Sequence, residues 1–221
     1  MENVIHGGSF PKRYTMGEEL MNAITHGLGA MLAAAATTLL VAASALQGDP
    51  YKLGASIAYG FSLMELYLMS TVYHAVQSPR VKEVLRVFDH CSIFLLIAGS
   101  YTPFALVTLR EAGGWLIFFG IWGAALVGIA LNAVSLRRFE KLSMACYVAM
   151  GWAIVLKLGT LVELLPAAGM GLLVAGGLCY TGGLLFYAVH KPYMHSVWHL
   201  FVLGGSVCHF LCIWLYVVLP A

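Results

Sequence analysis

The chain has 221 residues, 61% of them hydrophobic and only 10% charged, with a mean hydropathy of +0.85. Soluble domains carry about 25% charged residues, so this composition describes an integral membrane protein. A net charge of +2, with no basic run and no glycine-rich phosphate loop, excludes nucleic acid as a partner.

A helix needs about 20 apolar residues to cross a ~30 Å hydrocarbon core. Read in chain order, the sequence offers seven such spans, at 21–46, 52–76, 88–109, 114–134, 142–163, 167–189 and 196–220. The expected fold is therefore an all-α membrane protein, a seven-transmembrane helix bundle. Residues 1–20 form a cytoplasmic N-terminal segment and 21–221 a single membrane domain. Turn chemistry separates the spans: Gly48-Asp49-Pro50, Ser78-Pro79, Gly113-Gly114, the Arg137-Arg138 run, Pro166 and Lys191-Pro192. The first span carries Asn22 and His26 four residues apart on one face. The second, through "LMSTVYHAVQSP", carries Ser70 and His74 at the same spacing, and the third opens on Asp89 in "VLRVFDHCSIF". The seventh, "MHSVWHLFVLGGSVCHF", sets His195 and His199 one turn apart, with His209 about 15 Å further on.

Orientation follows from lysine and arginine in the short loops. Of twelve such residues, nine (Lys12, Arg13, Arg80, Lys82, Arg86, Arg137, Arg138, Lys141 and Lys191) fall on one side if the N-terminus is cytoplasmic. Lys52 and Arg110 fall on the other, and Lys157 lies within the fifth span. This distribution predicts N-in, C-out. Glu65 and Lys157 sit roughly 16 and 22 Å from the cytoplasmic surface and are expected to pair. The five cysteines form no CxxC pair and read as small buried apolar residues.

With that orientation, three helices bring Ser70, His74, Asp89, His195 and His199 near the cytoplasmic membrane surface. Ionisable groups in a membrane are costly and mark functional sites. Neutral imidazoles from separate helices, with an open fourth position, match the requirement of a catalytic zinc site. Asn22 and His26 stand where they can support such ligands, and His209 where it can line a cavity. His90 reads as an interfacial neighbour of Asp89, and His6 and His190 as residues of a tail and a loop.

These residues also carry a resemblance. "SxxxH" at Ser70 to His74, Asp89 within "FDHCSIFLLIAGSYTPF", and "HSVWH" at His195 to His199 resemble the signature motifs of the hemolysin III family. That family is the bacterial branch of the progestin and adipoQ receptor family, more distantly similar to alkaline ceramidases. "EELMNAITHGLGA" and "GGSVCHF" extend the likeness over nearly the whole chain. The resemblance implies a multi-pass protein of the bacterial inner membrane with its metal site near the cytoplasmic face. It implies zinc held by His74, His195 and His199, and hydrolysis of a membrane lipid amide or ester, with Asp89 and Ser70 as the accompanying carboxylate and hydroxyl. Two other readings stay open: a receptor-like or membrane-homeostasis regulator in which zinc is structural, and a hemolysin-like pore. Lipid identity and oligomeric state are not fixed by the sequence.

Overall fold

The computed structural model describes residues 14–219. Most of the expected 1–20 segment, with His6, Lys12 and Arg13, lies outside the described residues. The chain forms α1 (Met16–Gln47), α2 (Pro50–Ala75), α3 (Pro79–Pro103), α4 (Gly114–Trp152), α5 (Leu158–Leu164), α6 (Ala167–Ala188) and α7 (Met194–Ile213), with no strand among the described residues. Helices suit a membrane because each satisfies its own backbone polar groups.

Local chemistry places the helix ends. Gly48 closes α1 in the left-handed region (φ 70°), and Asp49 caps α2 by accepting from the Tyr51 and Lys52 amides, with Pro50 at the first helical position. Pro103 interrupts the hydrogen-bond ladder of α3. The chain continues as a π-helical turn over Phe104–Thr108, then turns at Gly113 (φ 84°).

Among the described residues, five helical stretches are long and apolar enough to cross a membrane: Met16–Gln47, Pro79–Thr108, Gly114–Leu164, Ala167–Ala188 and Met194–Val218. Seven were expected, and two features account for the difference. The second expected span, α2, is too polar to qualify because it turns Ser56, Ser62, Ser70 and His74 into the protein interior, all of them buried. The fourth and fifth expected spans count as one stretch, but that stretch is two helices joined at a kink: Ser135 leaves the helical region (φ −165°, ψ 93°) directly after the expected end of the fourth span and two residues before Arg137-Arg138. Its hydroxyl accepts from the Arg138 amide at 3.4 Å, as a cap does at a new helix start.

Packing is inverted relative to a soluble protein. Leu116, Phe119, Val134 and Leu156 face outward, while Asn22, His26, His74, Asp89 and His199 are buried. So many exposed large apolar side chains mark a membrane or partner interface. Helix α2 packs between α1 and α3, α7 packs against α1 and α6, and α4 lies on α3. Leu40, Tyr59, Leu63, Tyr67, Leu96, Val202 and Ile213 form the central core. Within it the Ser206 hydroxyl meets Tyr67 at 2.7 Å and Tyr180 at 2.9 Å, tying α7 to α2 and α6. Interhelical bonds of this kind contribute about 0.6 kcal/mol each in membrane proteins. All five cysteines are free.

Glu65 and Lys157 do not form an ion pair among the described residues. The Lys157 ammonium instead reaches toward the turn at Gly113, 3.4 Å from where a Cβ on that glycine would stand. Its long stem carries the ammonium to that turn rather than to Glu65.

Candidate metal centre

The first turn of α1 begins the site. Thr15 and Glu18 form a capping box: the Thr15 hydroxyl accepts from the Glu18 amide at 3.3 Å, and the Glu18 carboxylate accepts from the Thr15 amide at 2.9 Å. Such caps stabilise a helix start by about 1 kcal/mol. Glu18 also accepts from the Tyr193 amide at 3.1 Å, joining α1 to the residue just before α7. Glu19, Asn22 and His26 then recur at i, i+3 and i+7, so one α1 face turns a carboxylate, an amide and an imidazole inward.

Against that face stand His74 from α2 and His195 and His199 from α7. One ligand atom from each of the three lies within 4.8 Å of the other two. The tautomers follow from their partners. His74 Nδ1 lies 2.7 Å from Glu19 Oε2, and a carboxylate can only accept, so Nδ1 carries the proton. The Asn22 amide nitrogen, 3.4 Å from the same Nδ1, is then a close neighbour and not a second hydrogen bond; its oxygen accepts from Ser196 at 2.6 Å. The Thr25 hydroxyl gives its one proton to the Met21 or Asn22 carbonyl (2.9 and 3.0 Å), so it accepts from His199 Nδ1 at 3.1 Å. Both rings therefore turn an Nε2 lone pair inward.

All three Nε2 atoms are buried and have no hydrogen-bond partner among the described residues. Leaving buried polar atoms unmade is costly, about 1–3 kcal/mol each. Three imidazole nitrogens facing one point have the donor chemistry of a three-histidine zinc site. The residues present therefore fit the metal that the sequence motifs imply. Lys82 completes the surroundings. Its ammonium contacts Glu19 Oε1 at 2.7 Å, so one carboxylate bridges a lysine and His74.

The other expected residues fall around this centre. His26 stacks on His199, ring centroids 3.5 Å apart. Asp89 is buried and lines a cavity of about 140 Å³ together with His26, His195, Tyr187 and His209. It is not one of the residues whose ligand atoms converge. Asp89 was expected to open the third helix, but α3 begins ten residues earlier at Pro79. A helix dipole fades within the first turn, so it does not explain this carboxylate. No side-chain hydrogen bond ties up Asp89 among the described residues, and His90 Nδ1 stands 3.7 Å from it. Ser70 is buried one turn from His74. Thr71, Ser92 and Thr102 donate to carbonyls of their own helices; Ser70 makes no such bond among the described residues. His90 lines the cavity with its Nδ1 bonded to the Arg86 carbonyl at 2.9 Å, and His209 meets the Leu173 carbonyl at 3.3 Å. His190 is exposed in its loop.

The sequence reading did not single out Tyr14, Glu19, Thr25, Lys82 or Ser196. The i, i+3, i+7 recurrence of Glu19 with Asn22 and His26 was the available signal.

An all-helical, multi-pass membrane protein with a three-histidine cluster, His74 and His199 buried and His195 partly so, is the class that this fold and site define. The family described as "Haemolysin-III related" matches residues 14–210, and the chain belongs to that family. It is 44% identical over 202 residues to Hemolysin-3 of Bacillus cereus, covering 91% of this chain and 92% of that protein. It is 38% identical over 206 residues to a Hemolysin-3 homolog of Bacillus subtilis (strain 168), covering 93% and 97%. It is 29% identical over 214 residues to the human monocyte to macrophage differentiation factor, covering 91% and 85%. No solved structure gives a significant match.

Proposed function

We propose that the protein is a zinc-dependent hydrolase of a membrane lipid amide or ester. The observation that carries this reading is the convergence of one ring nitrogen from each of three histidines, all with unpartnered Nε2 atoms, beside a cavity that also exposes a carboxylate. Zinc, when bound, supplies a nucleophilic water at neutral pH and polarises a carbonyl. His74, His195 and His199 would hold it. Glu19 and Thr25 fix the tautomers of His74 and His199 so that Nε2 is free to bind. Asp89 takes the proton of the attacking water and returns it to the leaving group. Ser70, with its hydroxyl uncommitted, orients the water or donates to the developing oxyanion. The rest of the cavity wall is largely apolar, from Leu66, Ile93, Leu96, Ile97, Trp198 and Val202, and accommodates a lipid chain.

The membrane topology belongs to the same reading. Counting α2, which packs between two apolar helices, and the two helices on either side of Ser135 as separate crossings gives seven rods, and the lysine and arginine distribution supports the N-terminus inside and the C-terminus outside. In the bacterial inner membrane this sets the metal centre near the cytoplasmic face. The name of the human relative speaks of differentiation; a receptor or regulator with structural zinc would need the histidine cluster but not the free carboxylate at Asp89.

Wild-type protein in proteoliposomes, given a broad panel of lipid amides and esters, is expected to release free fatty acid detectable by mass spectrometry. No product across the panel would overturn the enzyme in favour of the regulator. Glu19→Gln is expected to weaken zinc binding about 10-fold to 100-fold, the usual weight of a carboxylate that orients a ligating histidine. Competition with a calibrated chelator measures this, and an unchanged affinity would show that the 2.7 Å contact to His74 does not tune the metal.

A further inference from the structure

We propose that Tyr14 is a positioning residue of the histidine centre, forming its wall on the side of the chain's N-terminus and holding His195 in place. The inference rests on the zinc reading above and goes beyond it, because neither the motifs nor the ligand set includes this residue.

The three candidate ligands are not held alike. His74 is fixed through Nδ1 by Glu19 and His199 through Nδ1 by Thr25. His195 makes no side-chain hydrogen bond among the described residues, and its Nε2 is unpartnered. Its orientation depends on ring contacts. Tyr14 lies 5.0 Å from it between centroids, Trp198 4.9 Å and Tyr187 6.0 Å. Tyr14 also meets the edge of His74 at 5.9 Å, so a single ring covers ligands from α2 and α7 together.

Tyr187 and Trp198 line the internal cavity alongside His195, whereas Tyr14 does not. Tyr14 is therefore the covering side chain that comes from outside the cavity wall, delivered by the segment leading into α1. Its placement is determined by the neighbouring chain. It immediately precedes the capping box of Thr15 and Glu18, and Glu18 ties that first turn to the Tyr193 amide. Gly17 admits the Tyr193 hydroxyl to within 2.8 Å of the position a Cβ would take, so the two chain segments meet closely there. An aromatic ring supplies a large rigid surface at low entropic cost. The shell around a metal site controls solvent access and the orientation of its ligands.

Two measurements on the full-length protein test the proposal. Zinc-loaded Tyr14→Ala is expected to lose metal to excess EDTA about tenfold faster than wild type, while Tyr14→Phe stays within about twofold of it. In metal-free protein, carbethoxylation of His195 by diethylpyrocarbonate, read by peptide mass spectrometry, is expected to be faster in Tyr14→Ala by a similar factor. Zinc retained by wild type with neither rate changed in Tyr14→Ala would overturn the wall and leave the metal reading intact. Faster carbethoxylation in Tyr14→Ala with no zinc held by wild type would uphold the wall and overturn the metal reading. Tyr14→Phe behaving as Tyr14→Ala would also overturn the proposal, since the ring is retained.

Discussion

Purified His199→Ala protein is expected to hold no zinc where the wild type holds about one per chain. His199 is completely buried, receives the stacked His26 ring at 3.5 Å and donates to Thr25, so it is the most constrained of the three ligands. Without it, two imidazoles remain, short of the three protein ligands that catalytic zinc sites use. The substitution also leaves the Thr25 hydroxyl without its donor and a space beside His26, a destabilisation of about 1–3 kcal/mol. Helical content measured alongside metal content separates ligand loss from unfolding. The same outcome is expected for His74→Ala and His195→Ala. Full zinc occupancy in any of the three folded variants would remove that residue from the ligand set.

Asp89→Asn is expected to do the opposite: keep zinc and lose turnover. The carboxylate lines the cavity with His195, lies outside the group of converging ligand atoms and accepts no hydrogen bond among the described residues. Asparagine matches its shape and can still hydrogen-bond, so fold and metal should survive. It cannot take a proton from water, and removal of a general base costs about 100-fold to 10,000-fold in rate. Proteoliposomes with wild type, Asp89→Asn and His199→Ala, compared by lipid extraction and mass spectrometry, give the answer. Equal product from wild type and Asp89→Asn would remove Asp89 from the chemistry. Loss of zinc in Asp89→Asn would instead make it a structural partner of the ligands.

The lettered pattern revealed what repeats at fixed spacing. The four-residue interval between His195 and His199 placed them on one face, and the helical phase of α2 put His74 inward. The turn chemistry at Gly48-Asp49-Pro50, Ser78-Pro79 and Pro166 marks real helix boundaries. Depth along a helix was a poorer guide. Glu65 and Lys157 have expected depths a few ångströms apart, but depth fixes neither the direction of a side chain nor the helix it meets, and Lys157 turns toward Gly113. The Arg137-Arg138 run, by contrast, marks the junction of the fourth and fifth expected spans to within two residues, since the helical backbone breaks at Ser135. Tyr14 and Glu19 escaped notice for a related reason. They precede the apolar run, so a hydropathy reading assigns them to a tail, whereas the capping box starts the helix at Met16 and carries Glu19 into the interior.

The bonds from α1 to the ligands also order events in time. Glu19, Asn22, Thr25 and His26 surround His74 and His199 from one helix, and Lys82 steadies Glu19 from the start of α3. All of these partners, and His74 itself, are synthesised before α7. His195 follows His74 by 121 positions (195 − 74), an interval of roughly ten seconds at ribosomal speeds. During that interval the nascent chain already contains His74 with its partner Glu19, and Thr25 without the histidine that donates to it in the finished protein. Helix α7 carries the other two, so a chain arrested before residue 195 would contain only one of the three ligands.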